Sequence, residues 1–271
     1  MWASTGFGLD DERIAQVLRA AATAVFGDTV GWRVRATPLG FEWSTGAGHS
    51  AGQVGPKGSL MRLGVGAALL NARTALESLG VRPLVTLLPD PGRPDLLAVI
   101  QPGGTRRPGM PPARLRRVSG PRVIGARPVV HLPELAHAVR RERGWLHVVT
   151  DAGTQDRLRV LFARAGVLRE PAEREDDVVE AVLCTHYPGA LAELQAGQAL
   201  QRMLNIATEL GLTVSVLPWA VWCPAVLGRG SLSGLFRSSL SPHVVLRIGP
   251  GGSGPVPRYS AEVGDRQDCE A

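Results

Sequence analysis

Apolar residues recur every three or four positions in several stretches of the chain, which is the pattern of an amphipathic helix. Asp10 or Asp11 can cap the first of these stretches, which continues to about Val25. The strongest stretch places a row of leucines on one face and stops at Gly211. The pattern predicts five helices, at about residues 11–25, 65–79, 133–143, 154–165 and 191–210.

Shorter apolar or alternating runs predict strands between these helices. The six runs cover residues 32–36, 83–88, 146–150, 178–185, 212–217 and 243–248. Residues 41–59 are predicted to form an irregular loop, so the first half is predicted as helix, strand, helix, strand. Because helices and strands do not alternate strictly, the pattern favours an α+β sheet sandwich over a doubly wound parallel sheet.

The length and composition are those of a globular protein. The chain has 271 residues, of which 44% are hydrophobic, enough for one large domain or two small ones. Its three cysteines are an odd number and lie far apart, which argues against a secreted disulfide framework. No apolar run is long enough to span a membrane, and the acidic residues 10–12 do not fit a signal peptide. We therefore expect a cytoplasmic protein without membrane contacts.

Positive charge is concentrated in one segment of the chain. The formal net charge is +6, and Lys57 is the only lysine. Residues 101–126 are rich in Pro, Gly and Arg and form the one clear break in composition. No acidic residue occurs between Asp95 and Glu134, whereas seven arginines do: Arg106, Arg107, Arg114, Arg116, Arg117, Arg122 and Arg127. Such a segment is either an anion site or a solvated linker.

Several familiar motifs are incomplete in this chain. Gly249, Gly251 and Gly254 match the glycine spacing of a dinucleotide-binding loop, but the prolines that follow exclude the helix that this loop requires. The histidines show no paired ligand spacing, so we predict no metal site. A GxSxG pattern occurs at residues 48–52, inside the predicted irregular loop and not at a predicted strand-to-helix turn. We therefore assign no catalytic acid, base or nucleophile.

One short group of residues has the chemistry of a phosphate site. Arg117 and Ser119 lie two residues apart, Arg122 follows them, and a predicted helix begins soon afterwards. Guanidinium groups match phosphate oxygens in a bidentate geometry, and a hydroxyl adds a further donor. The alternative interpretation is a solvated basic loop. Arg258, the only cation between Ile248 and Asp265, is a second candidate, and the spacing leaves open whether the two groups meet.

The segment that begins at Arg117 resembles the opening segment of the FMN-dependent nitroreductase family, in which an RxS arginine and serine hold the flavin phosphate. The resemblance therefore implies that Arg117 and Ser119 bind this phosphate and that Arg122 lies nearby. Pro257-Arg258 looks like the C-terminal arginine of the family, which also reaches the phosphate.

The long predicted helix near the C-terminus extends this resemblance. Residues 197–212 are similar to the core helix of the family and to the turn after it, where backbone lies against the isoalloxazine ring. The resemblance implies that the backbone at Gly211 and Leu212 lies beside the flavin ring.

The resemblance reaches the Acg-type branch of the family, in which one chain holds two related halves that mimic the usual homodimer. It implies an α+β, nitroreductase-like fold with a central, mostly antiparallel sheet flanked by helices. It also divides the chain into an N-terminal half (1–102), an arginine-rich segment (103–127), a C-terminal half (128–264) and a tail (265–271).

The first half departs from this branch, whose members carry a Ser-x-His-Asn-x-Gln-Pro-Trp segment for flavin ring and ribityl contacts. Here the corresponding residues 25–32 keep the tryptophan, Trp32, and lose the polar group. Part of the lid between Ala165 and Val178 is also missing. We therefore expect a degenerate N-terminal half.

The resemblance implies an FMN-binding oxidoreductase that takes electrons from NAD(P)H and passes them to an unknown small-molecule acceptor. The alternative is a flavin-binding, flavin-sequestering or catalytically inactive protein of the same fold. A third hypothesis, nucleic-acid binding through residues 106–127, lacks interleaved aromatic residues and a recognisable binding motif. We expect a monomer whose halves replace the dimer, or a homodimer if the first half requires a partner.

Overall fold

The computed structural model describes residues 7–26, 31–46, 55–105, 128–164, 178–218 and 240–250. The first part of the chain contains α1 (Asp11–Ala22), β1 (Trp32–Thr37), β2 (Gly40–Thr45), α2 (Pro56–Ser78), β3 (Val81–Leu87) and β4 (Leu96–Thr105). The second contains α3 (Pro128–Arg140), β5 (Trp145–Val148), α4 (Ala152–Arg164), β6 (Val179–Thr185), α5 (Ala190–Glu209), β7 (Leu212–Pro218) and β8 (Ser241–Pro250). Among these described elements no helix is long and apolar enough to cross a membrane.

The strands form two four-stranded sheets, and every pairing in both is antiparallel. The strand orders are β1-β2-β4-β3 and β5-β6-β8-β7, so both sheets place their strands in the order first, second, fourth, third. Each half also has one helix before its sheet and one between its second and third strands, and α4 is an addition in the second half. The α+β class and the antiparallel pairing are confirmed, and the single central sheet that we expected is two sheets.

Two strands of the first sheet were missing from the sequence prediction. The predicted loop at residues 41–59 is wrong at both ends, because β2 covers Gly40–Thr45 and α2 begins at Pro56, while residues 47–54 lie outside the described ranges. In β2 the fully buried Phe41 and Trp43 alternate with half-buried polar residues, but the run is short and Gly- and Ser-rich residues follow it. β4 is absent from the sequence prediction, although residues 96–100 are all apolar. Such a run is typical of an inner strand, and β4 lies between β2 and β3.

The predicted helix starts were accurate where a side-chain cap is present. At the start of α1 the carboxylate of Asp10 accepts a hydrogen bond of 2.9 Å from the backbone N–H of Arg13. The second predicted helix begins nine residues earlier than expected, since Pro56 provides the helical φ angle at its first position. The third helix begins at Pro128 and contains Pro133. Most other ends differ from the prediction by one to three residues.

The two halves meet where α2 crosses α5, and glycine permits the contact. A Cβ atom at Gly66 would overlap the carbonyl oxygen of Leu194, and a Cβ atom at Gly197 would overlap the carbonyl oxygen of Leu63. Leu63 precedes Gly66 by three residues, and Leu194 precedes Gly197 by three. The contact is therefore reciprocal, as in the interface of a symmetric dimer.

The hydrophobic cores of the two halves exchange residues across this contact. Leu194 of α5 is fully buried in the core formed around α1, α2 and the first sheet. In return, Leu60, Leu63 and Phe26 are buried in the core formed around α3, α5 and the second sheet. Because each core includes side chains from the other half, we infer that the halves depend on each other for stability.

We predict that Gly66→Ala and Gly197→Ala each lower the free energy of unfolding by about 3 kcal/mol or more, because the added methyl group overlaps backbone that cannot move aside. Denaturant unfolding followed by circular dichroism measures this loss. Gly153→Ala in α4 is the matched control, since its Cβ atom would lie 3.6 Å from Oδ2 of Asp151, an ordinary van der Waals distance, and alanine favours a helix. Equal stability of all three variants would contradict the close contact.

Candidate functional site

The four residues predicted to bind phosphate, Arg117, Ser119, Arg122 and Arg258, lie outside the described residues. Their grouping around a flavin phosphate stays a prediction. The same holds for nucleic-acid binding through residues 106–127, and for Gly251 and Gly254 of the incomplete glycine motif.

Gly211 and Leu212, predicted to lie beside the flavin ring, form the turn from α5 into β7. Gly211 has a φ of +70°, and its N–H donates to the carbonyl of Thr208 at 3.1 Å. Both residues are buried, and the side chain of Leu212 packs in the core of the second half. The turn is where the resemblance implies, but its glycine already has a structural role as the left-handed residue that ends a helix.

The first half contains the same turn at the end of α2. Gly80 has a φ of +81° and leads directly into β3. The spacing from Gly66 to Gly80 equals the spacing from Gly197 to Gly211. Each half therefore has one glycine at the helix crossing and one at the helix end. This equal spacing aligns the residues of α2 with those of α5.

The segment that departs from the nitroreductase pattern is tied to the opposite half. The N–H of Val25 donates a 2.9 Å hydrogen bond to Oε1 of Gln201 on α5. Trp32 follows at the start of β1, and its buried indole Nε1 has no hydrogen-bond partner among the described residues. An unsatisfied buried donor costs stability unless another group accepts from it.

Charged side chains bridge α2 and α5 on both sides of the glycine contact. On one side Arg62 forms an ion pair with Glu193, and both side chains are largely buried. The two positions correspond to each other, since Arg62 precedes Gly66 by four residues and Glu193 precedes Gly197 by four.

On the other side a single carboxylate holds two guanidinium groups. Oε1 of Glu142 lies 2.5 Å from Nη2 of Arg73 and 2.5 Å from Nη2 of Arg202, and it also accepts from Nε of Arg202 at 2.7 Å. Nη1 of Arg73 donates to Oε1 of Gln198 at 3.1 Å. Glu142 is buried. Because two guanidinium groups share its single carboxylate, the three side chains together carry a net charge of +1.

A buried histidine lies between the second sheet and the start of α5. Nε2 of His243 is 2.6 Å from Oγ1 of Thr185, whose hydroxyl proton goes to the carbonyl of Tyr187 at 2.8 Å. The imidazole therefore donates its Nε2 proton to the Thr185 hydroxyl oxygen. When Nδ1 carries no proton, the side chain is the neutral Nε2–H tautomer. Burial lowers the pKa of His243 to about 4, although the charge of Glu193 opposes this shift.

An open cleft of about 430 Å³ lies between α3 and α5. Its apolar wall consists of Pro133, Ala138 and Ile206. Its polar side chains are Glu134, His137, Arg141 and Arg202. The volume of the cleft is within the range of small-molecule sites, and its lining combines apolar and charged side chains.

The described residues offer no other reactive group of obvious use. Cys184 is a free thiol, but burial raises its pKa to about 12, so it is not a thiolate nucleophile near neutral pH. No group of three or more His, Cys, Asp or Glu side chains within these ranges could hold a metal ion.

The interhelical charges and the cleft were not predicted from the sequence. Arg73 and Glu142 are 69 residues apart in the chain, and no local pattern links them. The equal spacing of the two glycine pairs was the available signal, because it aligns α2 with α5 and shows which positions face each other. Comparison with protein-family models and with curated proteins finds no match for this chain.

We predict that stability falls as the pH decreases from 6.5 towards 4, because His243 in the unfolded chain binds a proton at its ordinary pKa of 6.5 whereas the folded protein resists it until about pH 4. The total loss from this group is about 3 kcal/mol, and above pH 6.5 it contributes no slope. Denaturant unfolding across this range measures the slope. His243→Gln, which keeps a donor but does not titrate, should flatten it, and an unchanged slope would contradict this assignment.

Proposed function

We propose that this protein is an FMN-binding, NAD(P)H-dependent oxidoreductase of nitroreductase type. The observation that carries the proposal is the duplicated architecture, with two halves of one strand order that meet through the reciprocal contact of Gly66 and Gly197. A single chain whose halves associate like the subunits of a dimer is the arrangement that the sequence resemblance implies. In this proposal the protein works in the cytoplasm, as a monomer or as a homodimer.

The flavin phosphate would be held by Arg117, Ser119 and Arg258, with Arg122 nearby. The turn at Gly211 and Leu212, between the end of α5 and the start of β7, is the part of the proposed site that lies among the described residues. When bound, the flavin would supply the hydride and electron transfer between NAD(P)H and an unknown small-molecule acceptor. The protein would bind the cofactor, orient it and limit access of water.

A flavin-binding protein without turnover is the second candidate, and the segment before Trp32 favours it. The N–H of Val25, the first residue of this segment, is bound to Gln201, and the following positions do not carry the Ser, His, Asn and Gln that the family uses for ring and ribityl contacts. Binding needs mainly the phosphate contacts, whereas hydride transfer needs the ring to be positioned within about 0.5 Å. Loss of the ring contacts would therefore reduce turnover more than affinity.

We predict that the purified protein binds FMN and that Arg117→Ala raises the Kd at least roughly 10-fold, the usual effect of losing a charge-assisted hydrogen bond. Quenching of flavin fluorescence measures the affinity. Arg106→Ala is the matched control, because it removes a guanidinium from the same arginine-rich segment outside the motif. A protein that binds no FMN would refute the proposal, and equal effects of the two variants would refute the assigned phosphate contacts.

We predict further that NADH or NADPH bleaches the visible absorbance of the bound flavin under anaerobic conditions, because the nicotinamide delivers a hydride to the ring. A stopped-flow spectrophotometer measures the rate. Stably bound FMN that neither nucleotide bleaches would select the binding protein over the oxidoreductase.

A further inference from the structure

The helices that form the cleft, α3 and α5, can be aligned with α1 and α2 of the first half. The glycine pairs align α5 with α2, so Arg202 corresponds to Asn71 and Ile206 to Ala75. The burial pattern aligns α3 with α1, since the buried pair Leu135 and Val139 repeats the spacing of the buried pair Val17 and Ala21. In this alignment Arg141 corresponds to Thr23, and Glu142 to Ala24.

Backbone hydrogen bonds at the ends of α1 and α3 support the same alignment. The N–H of Ala24 donates to the carbonyl of Ala21 at 3.2 Å, and the N–H of Glu142 donates to the carbonyl of Val139 at 3.1 Å. Corresponding positions therefore make corresponding backbone hydrogen bonds, and the two helix pairs can be compared side chain by side chain.

The aligned positions of the first half are neutral where those of the second half are charged. Nδ2 of Asn71 lies 3.5 Å from Oγ1 of Thr23, a long amide–hydroxyl contact across α1 and α2. The corresponding pair across α3 and α5 is Arg202 and Arg141, both of which line the cleft. The first half therefore forms the same helix pair without guanidinium groups at these two positions.

The charge of these guanidiniums is incompletely compensated among the described residues. Arg202 shares Glu142 with Arg73, and it uses Nε and Nη2 for this, which leaves the Nη1 protons for another acceptor. Arg141 is exposed and has no acidic partner in the part of the chain that the structure describes. Glu134, the one carboxylate that lines the cleft, lies 3.6 Å from His131.

We propose that this cleft binds a small aromatic carboxylate. The carboxylate would accept hydrogen bonds from Arg141 and from Nη1 of Arg202, and the aromatic body would cover Pro133, Ala138 and Ile206. A volume of about 430 Å³ admits a body of about two fused rings. Glu134 also lines the cleft, and its carboxylate disfavours ligands that carry a second negative charge. This inference is independent of the proposed flavin chemistry.

The probe is 2-naphthoate, and isothermal titration calorimetry on the full chain, without added flavin or nicotinamide, measures its Kd. The neutral isostere 2-naphthylmethanol separates the carboxylate contribution from the apolar one. We expect naphthoate to bind at least roughly 10-fold more tightly than the alcohol, because charge-assisted hydrogen bonds to arginine stabilise the anion alone. Equal binding of the two compounds, or no binding of naphthoate, would overturn the proposal.

Substitutions copied from the first half locate the site. Arg141→Thr should weaken naphthoate binding at least roughly 10-fold and leave the alcohol unchanged. Arg140→Thr, which removes a neighbouring exposed guanidinium that does not line the cleft, should leave both compounds unchanged. Equal losses in these two variants would overturn the assignment, because they would indicate a general charge effect.

Arg202→Asn provides a second test from the other wall of the cleft. It should weaken naphthoate binding while Glu142 keeps its ion pair with Arg73. Circular dichroism and the unfolding midpoint establish that the variant is folded. A folded Arg202→Asn protein with unchanged naphthoate affinity would remove Arg202 from the site and overturn the proposed two-arginine grip.

Discussion

The close approach of two helix backbones at Gly66 and Gly197 determines how the rest of the protein is arranged. Each glycine faces a carbonyl of the opposite helix, so no larger residue fits at either position without separating α2 from α5. The approach brings Leu63 and Leu194 into the core of the other half. It also sets the distance at which side chains farther along the two helices meet, including the buried charges around Glu142.

The two halves share a topology but differ in polarity where α1 packs on α2 and where α3 packs on α5. Where the first half has Thr23 and Asn71, the second has Arg141 and Arg202, and Glu142 takes the position of a small apolar residue. Polar substitutions of this kind are costly in a core unless the groups are paired. Glu142 is paired with Arg73 from the first half, so a buried charge of the second half is stabilised by a residue of the first.

The sequence predicts those elements whose signals are local. The carboxylate of Asp10 at the start of α1 and the long apolar face of α5 each lie within one segment, and both elements were found within a few residues. β2 was missed because its alternating run is short, whereas the apolar run at residues 96–100 was a local signal for β4 that the prediction did not use. The reciprocal contact, the charge cluster and the cleft combine residues from distant segments. Gly211 was identified correctly as a turn residue, but Gly80 has the same conformation, so the turn by itself does not distinguish a binding role from helix termination.

The ion pair of Arg62 with Glu193 joins two corresponding positions near the centre of the helix crossing. In a homodimer with this geometry, corresponding positions carry the same residue, and one side chain would meet its own copy. Two N-terminal halves would oppose arginine to arginine, and two C-terminal halves would oppose glutamate to glutamate. Like charges in a largely buried contact are strongly unfavourable. The opposite charges therefore favour the association of unlike halves, a selectivity that two identical subunits cannot have at this position.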